Sequence, residues 1–178
     1  MATLAQYQAD LEAYSYGKDP LVMQSYTPRL IAQLIAGISV EALRQRSVPD
    51  KWSVVEIIAH LAEDELVSSW RYRQMIENSE CALSGFDQDE WARLGDYVSW
   101  KPADALQLFW LLREANVRML SRLNFEEWER LGWHAERGVT TVRSLMLHIA
   151  AHDIIHLDQI RAILRTLSDR HMSSLMYE

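Results

Sequence analysis

From Ser53 to Asn78 the chain contains neither glycine nor proline. An uninterrupted run of that length is far longer than a β-strand, which usually spans about 3–10 residues. It also opens on a capping-box pattern, Ser53 followed three residues later by Glu56. At about 100° per residue, Val54, Ile57, Leu61, Tyr72 and Met75 fall on one stripe, as an amphipathic helix requires. The run therefore predicts a long helix from Val54 to about Asn78.

The same logic extends along the chain. Only six glycines and four prolines interrupt 178 residues, and no segment sustains period-two alternation. Asp19-Pro20 reads as a cap followed by proline at the first helical position, opening a helix to about Gly37 with Leu21, Leu30, Leu34 and Ile38 in helical spacing. Thr27-Pro28 is expected to break or kink it. Lys101-Pro102 starts a third long helix, to about Leu123. Thr140 or Thr141 caps a fourth, to about Leu167. Residues 41–50, 79–100 and 125–139 read as connections, residues 1–17 as an arm or short helix, and residues 168–178 as a frayed tail. In the 79–100 connection, Phe86, Trp91, Tyr97 and Trp100 are expected to cover one end of the helices. Four long helices with two long connections imply an all-α four-helix bundle, one domain over residues 1–178.

The bulk properties narrow the function. A net charge of −7 disfavours a nucleic-acid binder, whose footprint is a basic stripe. The single cysteine, Cys81, allows no intrachain disulfide and no thiolate-rich zinc site, which fits a reducing cytoplasm. The N-terminus carries acids early and lacks a signal pattern, and no stretch approaches about 18 uninterrupted apolar residues, so no membrane span is expected.

Histidines carry the chemistry. His152 and His156 stand at i and i+4, so both rings can address one atom. His156 falls in the middle of the stripe made by Val142, Leu145, Ile149, Ile160, Ile163 and Leu167, and His152 lies within about 40° of it. Imidazoles on an apolar face are costly unless both ring nitrogens find partners. Two readings meet that requirement, a bound metal or a pair of core histidines held by hydrogen bonds. His148 projects to the edge of the stripe and ranks behind these two, while His134 and His171 read as solvent or capping residues. On the second long helix His60 sits beside the apolar stripe, with Asp64 one turn along. Glu65 falls inside that stripe. It is either a partner or base at a metal site, or one half of an ion pair with an arginine such as Arg113 or Arg118. Arg71 reads as a solvated arginine or one that meets an anionic substrate. Cys81 follows Glu80 in a connection and is a poor nucleophile.

The run Asp50-Lys51-Trp52-Ser53 through His60-Leu61 to Glu65 resembles the second-helix signature of the DinB-like superfamily. His148, His152-Asp153, His156 and Gln159-Ile160 are similar to that family's last helix, and Trp128, Gly132, His134, Gly138 and Thr140 to the lead-in. The resemblance covers about residues 20–167, with Asp153 where many members carry glutamate. It implies a four-helix bundle with a long crossover between helices two and three. It also implies a divalent metal, often nickel or zinc, held by His60, His152 and His156, and frequently a homodimer. Superfamily members include S-transferases that use the low-molecular-weight thiols bacillithiol or mycothiol, and a maleylpyruvate isomerase. Three nitrogen ligands leave open positions on a metal, the arrangement of a catalytic site. An enzyme acting on a small molecule is therefore expected, either a thiol S-transferase or a hydrolase, with Asp64 or Glu65 as candidate proton acceptors. The alternative is a non-catalytic stress-response or ligand-binding module that keeps the bundle.

Overall fold

The computed structural model describes residues 19–135 and 137–175, with side chains to residue 169. The expected arm at residues 1–17 lies outside the described residues.

The described elements run α1 (Pro20–Ile35), α2 (Val40–Arg44), α3 (Val54–Glu77), β1 (Cys81–Leu83), α4 (Gln88–Leu94), a 3₁₀ turn (Tyr97–Ser99), α5 (Pro102–Leu120), α6 (Phe125–Trp128), β2 (Leu131–His134), β3 (Gly138–Thr141) and α7 (Val142–Leu175). The long helices α1, α3, α5 and α7 form the bundle. Around it, α1 touches α5 and α7, and α3 touches the same two. The cyclic order is thus α1, α5, α3, α7. Only the α3-to-α5 connection joins neighbours, while α1-to-α3 and α5-to-α7 cross the bundle diagonally.

Local chemistry explains most helix ends. Asp19 accepts from the backbone N–H of Leu21 and Val22 to start α1. Both halves of the Ser53/Glu56 capping box form at α3. The stripe Val54, Ile57, Leu61, Tyr72 and Met75 is buried as its spacing predicts.

Three expectations need correction. Pro28 neither breaks nor ends α1. A proline at position 28 leaves the carbonyl of Gln24 without its helical donor. Here the Arg113 Nη1 donates to that oxygen at 3.0 Å. Second, the connections hold a three-stranded sheet, with β1 parallel to β2 (Cys81↔Gly132) and β3 antiparallel to β2 (Gly132↔Thr140). Strands of three or four residues are too short to display alternation. Third, α7 continues through residues 168–175, a stretch with no glycine or proline to stop it. The 41–50 connection also contains the short α2, capped by Ser39.

The core divides into two apolar clusters. One contains Ile31, Ile58, Leu61, Phe109, Leu157 and Ile160, with Tyr97 buried in it and Trp91 and Trp100 packed against it, as expected for the aromatic cover. The other contains Tyr72, Met75, Leu83, Leu120, Val142, Leu145 and Ile149. Between them along the helices lies a buried polar layer. Arg113 pairs with both oxygens of Asp153 and with Glu65 Oε2 at 2.8 Å. Asn116 donates to Glu65 Oε1 and Thr27 to Asp153 Oδ2, each at 2.8 Å. All four long helices contribute to this layer.

Candidate metal centre

The histidines sit where α3 faces α7, beside the polar layer, with His152 next to Asp153 and with His60 and His156 among residues of the first apolar cluster. His60 is 1% exposed and His156 7%, and the His152 side chain is 18% exposed. The Nε2 atom of His152 lies 3.1 Å from Nε2 of His60 and 3.1 Å from Nε2 of His156. The three rings meet edge to face, with centroids 4.4–5.1 Å apart. Burial depresses all three, to about 2 for His60, about 4 for His152 and about 3 for His156, so the rings are neutral near pH 7.

Their outer nitrogens decide what the inner ones can do. His156 Nδ1 faces Gln159 Oε1 at 2.9 Å, and His152 Nδ1 faces Asp64 Oδ2 at 3.5 Å. Gln159 Oε1 accepts, so the His156 ring carries its proton on Nδ1 and turns a lone pair inward on Nε2. His152 Nδ1 is buried with only the longer Asp64 contact, and a cation among the three inner nitrogens would take the lone pairs of the neutral rings. Zinc ligated by imidazole at about 2.0–2.1 Å in tetrahedral geometry spaces its nitrogens by about 3.3 Å, close to what is seen. The donor set fits a divalent metal, and among the described residues this trio is the one group of histidine, cysteine and acidic side chains so gathered.

The neighbours sort into roles. The Trp52 ring lies 4.8 Å from that of His60. Asp64 is pushed up to about 6 by burial, opposed by Arg71 and Arg137. Glu65 turns away from the histidines to Arg113 and Asn116, the ion-pair reading. Its carboxyl is raised by burial. His148 is half-buried, with its ring 6.2 Å from that of His152 and outside the trio, and burial holds it at about 3. His134, expected at the surface, is buried on β2, and His171 falls on the α7 backbone. Arg71 is also buried, donating Nη2 to the Ser84 carbonyl at 2.6 Å, so it is not a solvated arginine. Cys81 is half-buried on β1.

A cleft of about 640 Å³ reaches His156 from solvent. Trp52, Ile57 and Ile163 give it apolar wall, and Lys51, Gln88 and Gln159 line its polar part. Trp52 and Gln159 have no role in the sequence beyond the family pattern, while Arg113 reads there as one possible ion-pair partner of Glu65. The signal for Arg113 was present, since it falls on the stripe of Ala105, Phe109, Asn116 and Leu120 that α5 buries.

Known proteins share this fold and part of this sequence. The profile of the DinB superfamily matches residues 25–160. Two relatives from Oceanobacillus iheyensis carry the name "Putative metal-dependent hydrolase". One is 26% identical over 141 residues, covering 76% of this chain and 78% of its own. The other is 22% identical over 142 residues, covering 80% and 81%. The solved structure of YfiT from Bacillus subtilis, described as a "probable metal-dependent hydrolase with an unusual four-helix bundle topology", superposes with a TM-score of 0.79 at 17% identity, over 94% of this chain and 91% of that one. With the bundle, the diagonal connections and the profile match in accord, the chain belongs to the DinB superfamily.

Proposed function

We propose that the protein is a metal-dependent hydrolase of small molecules, with His60, His152 and His156 as the ligands of zinc or nickel. One observation carries this reading: the Nε2 atoms of three neutral histidines converge, His60 and His156 buried and His152 half-buried, and a cleft open to solvent reaches His156. A divalent ion held there would supply Lewis acidity, lowering the pKa of a bound water or polarising a carbonyl. The protein supplies the rest. Gln159 holds the His156 ring by Nδ1, which keeps its inner nitrogen free to ligate, and Asp64, 3.5 Å from His152 Nδ1, stands where it can orient that ring. Asp64 is also the acid that can accept a proton beside the site, because Glu65 is occupied by Arg113 and Asn116. Trp52, Ile57 and Ile163 exclude water from one side of the cleft and suit an apolar acyl or aryl group. The same site would activate a low-molecular-weight thiol for S-transfer, so thiols belong in the assay panel.

The test begins with the metal content of purified chain, before and after incubation with zinc or nickel. One equivalent per chain is expected, and uptake below half an equivalent in both metals sinks the proposal. Loaded protein is then screened against activated esters and amides, with and without thiols. Turnover that disappears in His156→Ala, with helicity retained, supports the enzyme. Full metal loading with no turnover across the panel favours a non-catalytic binding module.

A further inference from the structure

On the side of the bundle opposite the histidines, α1 and α5 enclose a groove of about 380 Å³. That volume is within the range of small-ligand sites, about 300–1,000 Å³. Helix α1 lines it with Tyr26 and Arg29, three residues apart, and α5 with Trp110, Glu114 and Arg118 at successive intervals of four. Helical geometry therefore places each set on one stripe facing the groove. Tyr26 is 53% exposed and Trp110 37%, large aromatic surfaces left to solvent.

The arginines are the telling residues. Several other exposed arginines are paired, Arg46 with Glu56, Arg93 with Glu90, Arg143 with Glu129 and Arg161 with Asp158. Arg29 and Arg118 make no ion pair with any described residue, even though Glu114 stands one turn before Arg118. Arg113 at the floor is committed to Asp153 and Glu65, so it closes the groove without competing for a ligand.

We propose that this groove binds a small aryl anion, an aromatic ring bearing a carboxylate or phosphate. The ring lies against Tyr26 and Trp110, where offset stacking is favourable. The anion takes charge-assisted hydrogen bonds from Arg29 and Arg118, whose planar forks match its oxygens.

Calorimetric titration of the metal-loaded chain with phenyl phosphate tests this. Binding is expected at one site per chain, weakened at least tenfold in Arg29→Ala/Arg118→Ala and in Trp110→Ala, with inorganic phosphate and phenol each binding at least tenfold more weakly. Affinity should be unchanged in His156→Ala, because the groove and the histidines lie on opposite sides. Failure to bind overturns the proposal, as does binding that survives the arginine double substitution. Binding lost in His156→Ala overturns it too, because the phosphate then sits on the metal. So does sedimentation showing a dimer that dissociates in Trp110→Ala, because a second copy then covers the groove.

Discussion

Arg113→Met tests the polar layer most sharply. Arg113 is 2% exposed and binds Asp153, Glu65 and the Gln24 carbonyl. Methionine fills much of the same volume but strands two buried carboxylates. Breaking a buried pair by removing one partner costs about 3–5 kcal/mol. Protonation sets a ceiling on each stranded group. Neutralising a carboxyl of ordinary value 4.5 at pH 7 spans about 2.5 pH units, roughly 3.4 kcal/mol at about 1.36 kcal/mol per unit. A total loss of about 3–5 kcal/mol is a large part of the roughly 5–15 kcal/mol that holds a domain together. The ceiling also predicts the pH dependence. A stranded carboxyl has its folded pKa raised, so below that pKa the folded state holds a proton the unfolded chain lacks, and acid restores stability. Urea unfolding of chelated protein at pH 7 and 5.5 should show the deficit shrinking by up to about 2 kcal/mol for one carboxyl. Changes common to both chains, including histidine titration, cancel in the difference. A loss under about 1 kcal/mol, or a deficit indifferent to pH, refutes the reasoning, because the carboxylates would then be hydrated rather than stranded.

Three further outcomes follow from other parts of the molecule. Chelated wild-type protein should lose melting temperature as pH falls from 7 to 5: His60, His148, His152 and His156 all titrate below the ordinary 6.5, so unfolding takes up protons there, while Asp64, raised to about 6, and Glu65, also raised by burial, work against the trend. A flat profile across that window contradicts neutral buried histidines. Asp64→Asn should weaken zinc binding by about 10–100-fold in a competition titration while far-ultraviolet dichroism stays unchanged; unaltered affinity would remove its role in orienting His152. Gly132→Ala should destabilise by about 1–3 kcal/mol in chemical denaturation, because the new Cβ would stand 2.7 Å from Leu83 Cδ1 and 2.9 Å from its Cγ, a side chain buried in the second apolar cluster. Wild-type stability there would mean the sheet relaxes freely.

What could be read in the sequence was local. The α3 helix, its capping box and the apolar stripe depend on residues within a turn or two of one another, and they were legible almost to the residue. His152 and His156 were legible because two imidazoles on an apolar face demand partners. His60 depended on the resemblance to a family, since it sits at the edge of its stripe, and the structure brings all three together. What could not be read was long-range. Pro28 is tolerated because an arginine 85 positions later supplies the missing donor. Arg71 and His134 are buried by the short sheet, whose strands come from two connections about fifty residues apart. Glu65 had two open readings, and only the approach of α5 chose between them.

The polar layer also governs how the helices may slide. Two aliphatic clusters would tolerate displacement of one helix along its neighbours, since one leucine packs much like another. Arg113, Asp153, Glu65, Asn116 and Thr27 do not: moving a helix by one turn, about 5.4 Å, would carry its own members of the layer opposite hydrocarbon and strand their partners. The layer therefore acts as an index mark for the axial register of all four helices. His152 directly precedes Asp153 on α7 and His60 lies five residues before Glu65 on α3, so the alignment that satisfies the arginine is also the alignment that brings their nitrogens within reach of one ion.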